Sequence, residues 1–206
     1  MLEINGRKIG KGQRPYIVAE LSANHGGDIQ RAKESIKAAK ESGASAVKIQ
    51  TYTPDTMTLN SFKKDFLINE GIWKGYNLYE LYKMAQTPYE WHEELFRFSK
   101  KIGLTIFSTP FDETAIDLLE ELDTPAYKIA SFEITDIPLI KYAASKHKPM
   151  LISTGMSNPK EIEDAINCCI KEGNEQILLF HCISKYPANI TDCLLYTSDA
   201  ADDRMR

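Results

Sequence analysis

Short runs that are apolar on both faces alternate along this chain with longer stretches of helical period, and no other feature constrains the fold as strongly. The runs are Tyr16–Ala19, Ala46–Ile49, Leu104–Phe107, Ala126–Ile129, Pro149–Ile152 and Ile177–Phe180. A strand with one wet face would alternate apolar and polar residues. These runs suit parallel strands held between a core and a layer of helices. The spacing between them predicts helices over Ile29–Ser42, Tyr89–Ile102, Asp112–Leu122, Asp136–Lys146 and Pro159–Glu172. Ala32, Ile36 and Ala39 mark the apolar face of the first, and Gly43 is its expected stop. Pro88 is expected at the first position of the second helix, and Asp136 and Asn158 as N-caps. Leu2–Ile9 reads as a small hairpin turning at Asn5-Gly6. Thr53–Tyr82 departs from the pattern. It is long, irregular and aromatic, with Phe62, Phe66, Trp73, Tyr76, Tyr79 and Tyr82, and a loop of that length inside a domain is usually functional.

Repeated strand-helix units without reversal imply a parallel sheet, open or closed. The closed form is favoured by where polar residues fall. Strands end in Glu20, Lys48 with Gln50, Ser108 with Thr109, Lys128 with Ser131, Ser153 with Thr154, and His181. In a barrel those ends converge on one face, where barrel enzymes place their sites. An open doubly wound sheet would use only its switch point, and no GxGxxG follows the first strand. The expected fold class is therefore α/β, a (β/α)8 TIM barrel. It is incomplete, with about six of the eight strand-helix units of a full barrel. One domain, 1–192, is expected. The stretch Cys193–Asp203 carries no helix caps and continues no strand, and it matches the translation of a transposase adapter used in sequencing libraries. Residues 193–206 are accordingly expected to be foreign to the natural sequence.

Composition excludes some functions. A net charge of −4 gives no support for a nucleic-acid groove, which would want a basic surface. No apolar run approaches the ~20 residues of a membrane span, and Met1–Asn5 lacks the regions of a signal peptide. A cytoplasmic location is the expectation. Cys168, Cys169, Cys182 and Cys193 form no CxxC pair and are expected to be reduced, partly buried thiols, with Cys168 and Cys169 on different helix faces.

Lys48 and Lys128 each interrupt an apolar run, Ala46-Val47-Lys48-Ile49 and Tyr127-Lys128-Ile129-Ala130. Lysine is almost never fully buried without a partner, so the pair calls for an anionic ligand, a Schiff base or ion pairing within the barrel. Serines and threonines gather beside them in Ser108-Thr109, Ser131 and Ser153-Thr154. Hydroxyls, loop amides and compensating charge are what a phosphate needs. Glu20 is either a substrate-facing carboxylate or an ion-pair partner at the mouth. His25 is read as a satisfied turn histidine, and His181 as a packing or supporting residue rather than a ligand.

Pro15–Gly27, Val47-Lys48-Ile49-Gln50-Thr51, Phe107–Phe111, Pro125–Glu133 and Ile152–Met156, with Tyr186-Pro187 downstream, are similar in order and spacing to the sialic acid synthase family. The resemblance covers essentially all of 1–192. Within the family, Glu20–His25, Gln50–Thr58, Trp73-Lys74-Gly75 and Leu78–Tyr82 resemble the branch that takes a 6-deoxy diacetamido sugar. The resemblance implies condensation of phosphoenolpyruvate with an open-chain acetamido sugar, with release of phosphate. By similarity, Lys48, Thr109, Lys128, Ser131, Ser153 and Ser184 would hold phosphoenolpyruvate. Glu20, Gln50, Glu133 and Tyr186 would lie around the sugar and the attacking water. The family also implies a divalent metal, Mn2+ or Mg2+, on two histidines of later motifs that fall beyond Asp192. It further implies a small C-terminal antifreeze-like domain, also beyond Asp192, and a domain-swapped homodimer in which that domain completes the partner's site. The polypeptide as written is expected to lack these parts and to be inactive. Two readings compete with it: a Schiff-base aldolase using Lys48 or Lys128, and an inert fragment that is no enzyme.

Overall fold

The computed structural model describes residues 2–184 and 190–192. The hairpin forms as expected. β1 (Leu2–Ile4) pairs antiparallel with β2 (Arg7–Ile9), with Leu2 opposite Ile9 and Ile4 opposite Arg7. Asn5 and Gly6 both take positive φ, 50° and 78°, as a two-residue hairpin turn of matching twist requires.

Six strands follow: β3 (Val18–Glu20), β4 (Ala46–Thr51), β5 (Thr105–Pro110), β6 (Tyr127–Ile129), β7 (Met150–Ser153) and β8 (Ile177–Phe180). All pair in parallel, in the order β3-β4-β5-β6-β7-β8. A doubly wound sheet would reverse its order at a switch point. Here each strand adds on the same side of the last, and the sheet curls into a half-barrel. The strands begin later or run further than the apolar runs alone indicate. β4 reaches Thr51, β5 reaches Pro110 and β7 reaches Ser153. The apolar run marks where a strand is dry, whereas its polar C-terminal residues stay in the ladder and face the mouth.

Helices α1 (Ile29–Glu41), α4 (Tyr89–Lys101), α5 (Glu113–Glu121), α6 (Ile137–Ala144) and α7 (Pro159–Lys171) lie where helical period predicts them. Gly43 N donates to Lys40 O and Ala44 N to Ala39 O, closing α1. Asp136 caps α6 by accepting from Leu139 N at 3.1 Å. Asn158 and Glu161 form a reciprocal capping box on α7. Pro88 differs by one place: it is the residue before α4, with extended ψ of 139°, and not the first helical residue. Thr53–Tyr82 is more ordered than its composition suggests. It holds the short α2 (Pro54–Met57), a 3-10 turn at Lys64–Phe66 and the start of α3 (Leu78–Ala85). Asn77 caps α3 from Tyr79 N at 2.9 Å.

Two cores sit on the two faces of the sheet. The outer one packs Val47, Ile49, Ile106, Tyr127, Ile129, Met150 and Ile152 against the helices. Cys168 and Cys169 both belong to it, at 8% and 0% exposure, because the buried stripe of α7 is wide enough to cover neighbours 100° apart. The inner core gathers Val18, Ala46, Phe107, Ala126, Leu151 and Phe180 around Ile4 of the hairpin, which is fully buried. The hairpin therefore plugs the N-terminal end of the half-barrel.

Candidate active site

Side chains alternate faces along a strand, so the residue two places beyond each inner-core residue also points inward. Val18, Ala46, Phe107, Ala126, Leu151 and Phe180 lead in this way to Glu20, Lys48, Thr109, Lys128, Ser153 and Cys182. An apolar layer thus carries a polar layer directly above it, at the C-terminal ends of the strands.

Lys128 is only 9% exposed. Its Nζ donates to Ile129 O at 2.8 Å and to Ser153 Oγ, and it lies 5.6 Å from the centroid of the Phe180 ring. Among the described residues no carboxylate comes within ion-pair distance of it. Burial, and then repulsion from Lys48, pulls its pKa down to about 8. Lys48 is tied more closely: it pairs with Glu20 Oε2 and donates to Thr109 Oγ1 at 3.1 Å. Glu20 Oε1 accepts from Ser22 N at 3.0 Å. Glu20 is therefore an ion-pair partner and lies at the mouth as well.

Gly155 lies two residues past Ser153 on the same face. Its N–H donates to Ser131 Oγ at 3.2 Å. A methyl group built there would stand 2.8 Å from Ser131 Oγ and inside contact with Ser184 Oγ. Only glycine lets an amide and two hydroxyls crowd together so closely. Gln50 is half-buried and pairs in register with Thr109. Glu133 ends the 3-10 turn Ser131–Glu133. Among the described residues its Oε2 is buried with no hydrogen-bond partner, and burial raises its pKa. Its charge is felt by Tyr82 of α3. Tyr82 meets Tyr52 edge-on at 5.8 Å, and Tyr52 meets Phe111 at 5.4 Å. Burial pushes the Tyr52 hydroxyl up to about 12.

The structure brings Glu20, Lys48, Gln50, Thr109, Lys128, Ser131, Glu133, Ser153 and Ser184 to this one end of the sheet. Tyr186 lies outside the described residues. Ser108 and Thr154 do not join them. Both point to the outer face, Ser108 toward Thr51 Oγ1 at 2.6 Å and Thr154 to Phe180 O at 2.8 Å. His25 is fully buried in its turn, accepting from Gly27 N at 3.1 Å and meeting Trp91 edge-on at 5.4 Å. His181 is exposed, one residue beyond the inward-facing Phe180 and next to the edge strand β8. Among the described residues no group of three or more His, Cys, Asp or Glu is placed to hold a metal. None of their helices is long and apolar enough to cross a membrane.

Sequence reasoning missed Cys182, whose Sγ donates to Ser153 Oγ at 3.2 Å. Its place two residues past Phe180 was the available signal. The Tyr52–Tyr82–Phe111 wall carried no local signal, since it joins three distant segments. A cavity of about 450 Å³ opens at the opposite end, beside Asn5, Arg97, Lys100, Thr105 and Asp123. Its charges are mixed and exposed, and the mouth is preferred because its charge is buried.

The arrangement sets two cations, one of them without a counter-ion among the described residues, amid hydroxyls and an amide, beside a carboxyl whose pKa burial raises. Hydroxyls, an amide and buried positive charge are the groups that suit a small phosphorylated or carboxylated anion. Residues 35–204 match the NeuB family, a span that includes part of the tail read above as foreign. The chain is 53% identical over 183 residues to the pseudaminic acid synthase of Helicobacter pylori, covering 89% of this chain and 54% of that protein. It is 46% identical over 180 residues to the pseudaminic acid synthase of Campylobacter jejuni serotype O:23/36, covering 87% and 52%. Its fold is similar to the crystal structure of an N-acetylneuraminic acid synthetase from Leptospira borgpetersenii in complex with citrate. The TM-score is 0.84 at 28% identity, over 98% of this chain and 66% of that one. The chain spans about half the length of the two synthases it matches.

Proposed function

Because the chain belongs to the NeuB family, we propose that the whole protein condenses phosphoenolpyruvate with an open-chain acetamido sugar to form a nine-carbon, sialic-acid-like sugar acid. The sugar is 2,4-diacetamido-2,4,6-trideoxy-altrose and the product pseudaminic acid, by likeness to the synthases above. The observation that carries this reading is Lys128, a buried ammonium bound to the Ser153 hydroxyl and paired with no carboxylate among the described residues.

Lys128, Lys48, Thr109, Ser131, Ser153 and Ser184 hold phosphoenolpyruvate, their donors fixed before it arrives. Carbon 3 of phosphoenolpyruvate forms a bond to the aldehyde carbon. The aldehyde oxygen takes a proton, and Glu133, biased toward the acid form by burial, stands ready to give it. Carbon 2 becomes electron-poor and water adds there, its first proton replacing the one that Glu133 gave to the aldehyde oxygen. The bond from carbon 2 to the phosphate oxygen breaks, the remaining hydroxyl proton passes to the departing phosphate, and carbon 2 becomes a ketone. Glu20, Gln50 and Tyr186 are assigned to the sugar and the water, and the Tyr52–Tyr82–Phe111 wall suits the apolar parts of a deoxy sugar. The described residues do not fit a metal site, so no step is routed through one. A cytoplasmic location and a homodimer belong to the same proposal. So does the reading of residues 193–206 as foreign, which contiguous genomic sequence past Asp192 would test.

Rates with the 6-deoxy diacetamido sugar and with N-acetylmannosamine, measured side by side, test the sugar. Preference for the first supports it, and comparable rates reduce the assignment to the family reaction, with neuraminate and legionaminate synthases as alternatives. One observation favours a second reading: a lysine titrating near 8 is what an amine nucleophile requires. Borohydride trapping with a carbonyl substrate separates the two, because the condensation proposed here leaves no covalent adduct on Lys128 or Lys48.

A further inference from the structure

A chain of buried polar groups runs behind the mouth, from α4 to the ends of β4 and β5. His92, Thr51 and Ser108 are each fully buried. His92 Nδ1 lies 3.0 Å from Pro88 O and its Nε2 2.8 Å from Thr51 Oγ1. Thr51 Oγ1 lies 2.6 Å from Ser108 Oγ, which is also 3.1 Å from Ile49 O. The proton directions follow from chemistry. A carbonyl only accepts, so Nδ1 carries the ring hydrogen. The neutral ring then has a bare Nε2, which takes the Thr51 proton, and the one Ser108 proton is shared between Thr51 Oγ1 and the Ile49 carbonyl to which Ser108 donates. The chain runs one way, from Ser108 to Thr51 to His92 to Pro88. Burial lowers the His92 pKa, in keeping with a neutral ring.

Thr51 and Ser108 point away from the mouth, but their chain neighbours do not. Gln50 precedes Thr51, Thr109 follows Ser108, and Gln50 and Thr109 are partners in register. Thr109 in turn receives the Lys48 ammonium. We propose that His92 is a positioning residue: by fixing the outward hydroxyls of Thr51 and Ser108 it fixes the backbone that aims Gln50 and Thr109 into the mouth, without touching substrate. The proposal rests on the reading of the mouth as the phosphoenolpyruvate site.

The whole protein and its His92→Leu, His92→Gln and Thr51→Val variants would be compared for phosphoenolpyruvate binding by calorimetry, for thermal midpoint, and for the imidazole 15N spectrum of the wild type. Leucine keeps bulk and no polar atom, glutamine keeps a donor and an acceptor, and valine keeps the shape of threonine without its hydroxyl. His92→Leu is expected to weaken binding about tenfold, the scale of a buried hydrogen bond. Thr51→Val should do the same, and His92→Gln should recover most of the loss. The wild-type ring should show the Nδ1–H form at neutral pH. Unchanged affinity in both His92→Leu and Thr51→Val would overturn the proposal. So would an Nε2–H ring, or a His92→Gln variant that regains thermal midpoint without regaining affinity. Should His92→Leu not fold, Thr51→Val carries the test. A wild-type protein that binds no phosphoenolpyruvate would sink the functional reading itself, whereas normal wild-type binding with indifferent variants would sink only the role of His92.

Discussion

At the scale of residues, charge held out of water sets the character of the mouth. Lys128 keeps its ammonium among hydroxyls, with burial and Lys48 both working against the charge. An arriving phosphate would remove that penalty, so Lys128→Ala is expected to cost roughly 1.5–3 kcal/mol of phosphoenolpyruvate affinity, about one to two decades. An unchanged dissociation constant by calorimetry would remove Lys128 from the site. The pH dependence follows with a definite sign. The free protein loses the Lys128 proton above about 8, so affinity should stay level up to that pH and decline beyond it. The decline should vanish in Lys128→Ala, whose binding is weaker throughout. Gly155→Ala is a separate probe, because its methyl group would enter the space shared by Ser131 and Ser184. Weakened binding with an unchanged thermal midpoint is the expected result, and unchanged binding would place those hydroxyls elsewhere.

At the scale of elements, the first turn of α4 holds two segments at once. Trp91 packs on His25 in the loop after β3, and His92 reaches Thr51 at the end of β4. Both histidines are buried, and burial lowers both pKa values below 6.5. In the unfolded chain they take up protons first, so stability is full above about 6.5 and falls as the solution is acidified. Thermal midpoints recorded between neutral pH and pH 5 should show that fall, and His92→Gln should flatten part of it. An unchanged midpoint in wild type would mean that the two rings gain protons without cost. Much of this level was legible in the sequence. A lysine inside an apolar run announces itself whatever the fold, and capping residues such as Asn158 act through their own neighbours. The parity of Ser108-Thr109 and Ser153-Thr154 was readable but unread. Once Ala46 and Lys48 share the inner face, registered pairing along the sheet sends Thr109 and Ser153 inward and Ser108 and Thr154 outward. The position of Tyr82 beside Tyr52 was not readable, because it depends on how α2 and α3 fold back over the mouth. His92 likewise carries no local signal, because its partners Thr51 and Ser108 lie on β4 and β5, far away in sequence.

At the scale of the molecule, one face of the sheet carries the helices and the other is a plugged cup with a charged rim. Ile4 is the plug, and Ile4→Ala should lower stability by about 2–5 kcal/mol, as deletion of a core isoleucine does. A denaturation midpoint unchanged by it would show that the hairpin does not seal the inner core. Among the described residues β3 and β8 are the sheet edges, and the 206-residue chain spans about half the length of the synthases it resembles. The central claim is that this rim holds phosphoenolpyruvate while its carbon 2 is attacked by water. It is tested most directly with phosphoenolpyruvate carrying 18O at the oxygen that bridges carbon 2 and phosphorus, given to the whole protein with the diacetamido sugar. Phosphate release should require both substrates, with the label retained in the released phosphate. Label left in the sugar acid, or no phosphate release when both substrates are present, would contradict it.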